Sequence, residues 1–143
     1  MAVSTLVAAA GGKTMYRTTL TSGTSYTVPA GVTYLNVTLV GGGGGGNSNT
    51  YNGLGGAIRS STLSCTPGAS ITYAIGAGGG AGAAGGNTTF TGATTATGGN
   101  GNDFNSAGKP TAGLSSNNWG QGTNNGAPAN NGAAGSVEIE YWV

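Results

Sequence analysis

The chain contains no histidine, only three carboxylates (Asp103, Glu138, Glu140) and only four cations (Lys13, Arg17, Arg59, Lys109) in 143 residues. Without imidazole and with so few carboxylates, most acid–base and metal chemistry is excluded before any motif is read. Four cations cannot neutralise a run of phosphates, so a nucleic-acid surface is excluded as well. The single cysteine, Cys65, cannot close an internal disulfide and has no histidine to activate it; it reads as a small apolar filler. Leu, Ile, Val and Phe together supply only 21 residues. Such a low share accompanies disorder when net charge is high, but here the net charge is +1, so the solvated-polyelectrolyte kind of disorder is excluded.

Long hydrophobic runs are missing too. The apolar stretch Met1–Ala10 lacks a basic segment before it and falls well short of the roughly 18 residues a membrane span requires. It reads as an N-terminal arm or strand rather than a cleaved signal, and no membrane insertion is expected. The length fits one domain over residues 14–143, with residues 1–13 as the arm.

What the chain has in abundance is glycine: 32 residues, about three times the ordinary usage of roughly 7 %. The rest is organised by alternation with period two. Val32–Val40 is the strongest strand signal, with Leu35, Val37 and Leu39 on one face and Tyr34, Asn36, Thr38 and Val40 on the other. Thr14–Thr21, Tyr26–Val28, Ala57–Thr66 and Ser70–Ile75 are further strands, separated by Ser22-Gly23, Pro29-Ala30-Gly31 and Thr66-Pro67-Gly68 turns. A short strand is expected around Phe90 and another over Ala93–Thr97. The final run turns Val137, Ile139, Tyr141 and Val143 inward and Glu138, Glu140 and Trp142 outward. No window carries a helical apolar stripe, so the fold class is all-β.

Directly after good strands come the glycine tracts: Gly41–Gly46, Gly76–Gly86 (glycine and alanine alone), Gly98–Gly101 and the Gly/Asn/Ala mixture Asn117–Gly135. That placement argues against an interdomain tether. An ordered alternative is polyproline-II geometry, three residues per turn, whose lateral packing glycine permits because no side chain blocks backbone-to-backbone bonds. Ordering each glycine costs about 1–2 kcal/mol of backbone entropy, so several tracts must dock together for any to be ordered.

Individual motifs carry little chemistry. Gly41-x-Gly43-x-x-Gly46 formally matches a dinucleotide fingerprint, but Asn47-Ser48-Asn49 follows where an amphipathic helix should start. Glu138 and Glu140 share a strand face and read as a solubilising charge pair rather than a glycosidase pair. Asp103 sits in a Gly/Asn loop as a turn residue. No cofactor and no metal are expected, and the chain is read as a non-enzyme. Asn36-Val37-Thr38 and Asn87-Thr88-Thr89 match the glycosylation sequon by chance.

The loop residues Tyr51, Asn52, Asn117, Asn118, Trp119, Gln121, Asn124 and Asn125 form the candidate contact set. Aromatic faces beside paired amide donors and acceptors suit a sugar or a protein surface. The alternative for Trp119 is packing at the base of a glycine bundle.

Tyr26–Thr33 running into Val37–Gly44, then Thr66-Pro67-Gly68, Ile71–Gly79, Gly86–Gly92 and Gly132–Tyr141 form an ordered set that resembles the glycine-rich domain of bacteriophage tail-fibre and other virion proteins. The resemblance implies a β-sandwich-like base carrying glycine-rich loops, sometimes packed as polyglycine-II helices. It also implies a virion location on a tail fibre or capsid surface, manufacture in the host cytoplasm, other virion proteins as partners, and a homo-oligomer, with a trimer in keeping with tail parts. On this reading the function is host attachment from a tail fibre or tip, through a host-surface glycan or protein. Val3, Leu6 and Val7 are then the candidates for fixing the arm to a neighbouring subunit. Capsid decoration is the alternative, and ice binding through flat small-residue faces is a remote one.

Overall fold

The computed structural model describes residues 3–10, 12–46, 53–101 and 131–143. Among these residues eight strands are present: β1 (Val3–Ala10), β2 (Lys13–Leu20), β3 (Ser25–Thr27), β4 (Tyr34–Val40), β5 (Ile58–Ser64), β6 (Ser70–Ala74), β7 (Thr89–Phe90) and β8 (Ser136–Trp142). They form two antiparallel sheets, one ordered β1-β2-β8-β4-β5 and the other β3-β6-β7. Among the described residues there is no helix, and the all-β expectation holds.

Alternation dictates the core. Leu35, Val37 and Leu39 of β4 and Val137, Ile139 and Tyr141 of β8 are buried and join Tyr26, Tyr73 and Phe90 of the smaller sheet in one cluster. Phe90 lies 6.3 Å from both the Tyr26 and the Tyr73 ring, so three aromatic rings fill much of the volume that few aliphatic residues leave open. Ile71 and Ile75 are half-buried against the same cluster, as is Cys65. Burial pushes the Cys65 thiol pKa upward, the setting of an inert filler.

The turns follow their residue chemistry. Pro29-Ala30-Gly31-Val32 closes with the Val32 N–H donating to the Pro29 carbonyl at 3.2 Å, and Gly31 takes a φ of 79°. A left-handed third residue of this kind defines a type II turn and selects glycine.

Three expectations need correction. Ala93–Thr97 is not a strand: the Ala93 N–H turns back to the Phe90 carbonyl, and only an isolated Thr88–Ala96 bridge forms. Val143 is not inward but half-exposed, although its backbone still exchanges both hydrogen bonds with Thr14: it lies at the rim of the sheet, past the end of the core cluster. Val40 is fully buried although it belongs to the outer face; its pairing partner Ser136 is buried as well, so the outer face is closed over where the sheet meets the glycine tracts.

Those tracts gather at one end of the sandwich, because β4 and β6 run into them and β5, β7 and β8 emerge from them. Gly41–Gly46 lie at the centre and are buried throughout. The amides of Gly41 and Gly44 donate to Ala57 and Leu54, those of Gly42 and Gly45 to Gly86 and Ala83, and that of Gly43 to Ala133, all at 2.8–2.9 Å. The central tract thus returns to the same neighbour every third residue, not every second as in a sheet. In the other direction Gly79, Gly99 and Gly82 donate to the carbonyls of Gly43, Gly42 and Gly45.

The absence of side chains is a steric requirement here. A Cβ on Gly42 would lie 2.1 Å from the Ala77 carbonyl oxygen, and one on Gly45 2.0 Å from that of Gly80. The Thr88 hydroxyl pins this body to the sandwich. Fully buried, it donates to the Val40 carbonyl at 2.6 Å and accepts the Gly76 N–H at 2.9 Å.

Candidate functional site

Register places one residue of each strand in each row across the outer face of the larger sheet. Asn36 pairs with Thr62 and with Glu140, and Glu140 pairs with Arg17. One row further towards the glycine tracts, Thr38 pairs with Ser60 and with Glu138, and Glu138 pairs with Thr19. These rows are stitched sideways: Thr62 Oγ1 donates to Asn36 Oδ1 at 2.8 Å, and the Thr38 and Ser60 hydroxyls lie 3.0 Å apart. The result is a shallow polar depression of about 360 Å³, lined by Asn36, Thr38, Ser60, Thr62 and Glu140 among others.

Arg17 holds both carboxylates. Its Nε donates to Glu140 Oε1 at 2.9 Å, its Nη2 donates to the same oxygen, and Glu138 Oε1 lies 3.5 Å from Nε. The hydrogen bond to Glu140 and then the charge of Glu138 raise the guanidinium pKa above its ordinary value, so the cation is permanent. Because this cluster is partly exposed, its contribution to stability is below about 1 kcal/mol. The Glu138–Glu140 pair is therefore a partly neutralised surface feature bridged by Arg17.

At the far end of the same face, away from the glycine tracts, stand Tyr34 and Trp142, 63 % and 43 % exposed. With Lys13, Thr33 and Gly31 they line a cleft of about 280 Å³. The other exposed large apolar residue among those described, Val143, adjoins Trp142 in sequence and faces Gly31. All the large apolar exposure of the described residues is thus concentrated at one pole.

The residues singled out from the sequence fare differently. Tyr51, Asn52, Asn117, Asn118, Trp119, Gln121, Asn124 and Asn125 lie outside the described residues. Val3 and Leu6 lie on β1, which pairs with β2 at the edge of the larger sheet, opposite Thr19 and Tyr16; Val7 falls at a register shift between Leu6 and Ala8. Such an irregularity on an edge strand disfavours further strand pairing. The fingerprint-like glycines cannot cradle a phosphate through their amides, since Gly41–Gly45 donate theirs to neighbouring carbonyls. In the second sequon, Asn87 Oδ1 accepts the Gly98 N–H at 3.0 Å and Thr88 is buried.

Sequence reasoning missed the juxtaposition of Tyr34 and Trp142 with the polar rows. Both residues read as outward, but only the β4–β8 pairing brings them to one place. Among the described residues no helix is long and apolar enough to cross a membrane. No curated protein matches the chain. Residues 18–141 match the model of a family described as a glycine-rich domain, and with that match covering nearly the whole chain, it belongs to this family.

Proposed function

We propose that this protein is a non-enzymatic structural component of a bacteriophage particle, positioned at a tail fibre or tail tip and contributing to host attachment. The observation that carries the reading is the buried Gly41–Gly46 tract, bonded through its backbone to its neighbours. The three-residue alternation of its partners supports polyglycine-II packing, which has three residues per turn. A body of that kind is stiff, nearly uncharged and free of side chains that proteases and salt could address, and it suits an exposed part of a virion. The Arg17–Glu138–Glu140 cluster supports a non-catalytic role, since both carboxylates are engaged by one permanent cation. On this reading β1 serves in anchoring to a neighbouring subunit, and Tyr51, Asn52 and the set from Asn117 to Asn125 serve in contact with the host.

Labelling purified virions with an antibody to this chain and imaging them tests the reading directly. Label at the tail extremity, with adsorption impaired by Trp119→Ala, is the expected result. Label over the capsid at high copy number with normal adsorption would instead establish a decoration protein, and no label on any particle would refute the virion assignment.

A further inference from the structure

We infer that the outer face of the five-stranded sheet is a glycan-binding face, on which Tyr34 and Trp142 stack one sugar ring and the adjoining polar rows hydrogen-bond the next. The inference names a ligand class within the attachment reading above, but places it on the sheet and not on the loops. Tyr34 and Trp142 each lie two residues beyond the Asn36–Glu140 pair that ends the β4–β8 ladder, so alternation puts them on the same face, and they line one cleft. Aromatic side chains prefer burial, and a pair left this exposed beside a cleft is available to an apolar surface. A pyranose offers one: the C–H face of the ring lies flat against an aromatic while its edge carries hydroxyls.

The next row supplies what that edge needs. Thr62 gives its one hydroxyl proton to Asn36 Oδ1, which leaves the Asn36 amide N–H groups as donors and the Thr62 oxygen as an acceptor. Glu140 retains acceptor capacity beyond its bonds to Arg17. Rows of one face are about 6.8 Å apart along a strand, so a ligand stacked on the rings reaches the polar row only if it extends beyond a single ring. The face therefore fits an oligosaccharide.

Charge narrows the class further. Among the described residues of this face, Lys13 and Arg17 are matched in number by Glu138 and Glu140, so there is no excess of either sign among them to attract an acidic chain, which favours a neutral saccharide. A protein partner fits less well. Stable protein interfaces bury about 800 Å² per partner around an apolar core, whereas the large apolar exposure among the described residues stops at Tyr34, Trp142 and the adjoining Val143, and the next row of the sheet is polar.

The test uses the purified full-length protein on an array of immobilised neutral and uronate-containing hexopyranose oligosaccharides. Binding to at least one neutral oligosaccharide is expected, with free monosaccharide competing far more weakly. Trp142→Ala and Tyr34→Ala should each weaken binding at least tenfold, and Asn36→Ala about three- to tenfold. Thermal unfolding should stay near that of the parent, because both rings are exposed.

Absence of binding to every oligosaccharide would overturn the inference. So would binding that Trp119→Ala abolishes and Trp142→Ala leaves intact, or a Trp142→Ala defect confined to association with other virion proteins. The virion imaging above is independent of this readout. Glycan binding by a capsid-located protein would remove the tail reading alone, and a tail location without glycan binding would remove this inference alone.

Discussion

The sandwich and the glycine body are built from opposite materials. In the sandwich, Leu35, Leu39, Ile139 and Phe90 are buried by side-chain packing, and the backbone is held apart at the distances sheets impose. In the glycine body the backbones themselves are in contact, and the interior is filled by amides bonded to carbonyls. The sandwich tolerates changes of shape at a graded cost, since a smaller side chain leaves a cavity that neighbours partly close. The body has no graded response: one methyl group at a contact position meets a carbonyl oxygen well inside van der Waals distance. Small chemical changes therefore have small effects in one region and large ones in the other.

The sharpest way to break that contrast is Gly45→Ala. With its Cβ 2.0 Å from the Gly80 oxygen and no flexible atom to yield, a loss of about 4 kcal/mol or more is expected, read as a collapse of the thermal unfolding midpoint. An effect below about 1 kcal/mol would mean that the tracts are not packed. Leu39→Ala is next, at about 3 kcal/mol by denaturant titration, the ordinary cost of deleting a fully buried leucine side chain. Thr88→Val keeps the shape of the pin but removes its two buried hydrogen bonds; about 2 kcal/mol is expected, with amide exchange accelerated at Gly76 first.

The smallest effect belongs to Gly80→Ala, although Gly80 is the residue whose carbonyl Gly45 faces. Among the described residues a Cβ there would find only Asn131 Oδ1, at 4.0 Å, and stability should change by less than about 0.5 kcal/mol. Equal penalties at Gly45 and Gly80 would show that glycine is needed in these tracts for flexibility and not for close approach.

Much of the sandwich was legible in the sequence because alternation is a local property. Leu35, Val37 and Leu39, and likewise Val137, Ile139 and Tyr141, declare their inner face within a few residues of each other. The Pro29-Ala30-Gly31 turn is equally local. The misreadings came where local pattern competes with context. Ala93–Thr97 looks β-prone but follows the positive-φ Gly92, and Val143 continues an alternation past the end of the core it would fill. Glycine composition shows that backbones can approach, but not which tract lies against which, because that is decided by the strands that deliver them. The aromatic–polar face was illegible for the same reason: Tyr34 and Trp142 are 108 positions apart in sequence and line one cleft only because β4 and β8 are neighbours in the sheet. The loop set around Trp119 had a clear chemical signature, yet nothing among the described residues locates it.

Hydrogen exchange at the amides of Gly41–Gly45 is the most direct measurement of whether glycine acts here as packed structure. Each of these amides donates to a carbonyl within a buried tract, so they should exchange as slowly as the β4 amides that precede them and open only with global unfolding. Exchange at the rate of an unstructured peptide, with β4 still protected, would contradict the account.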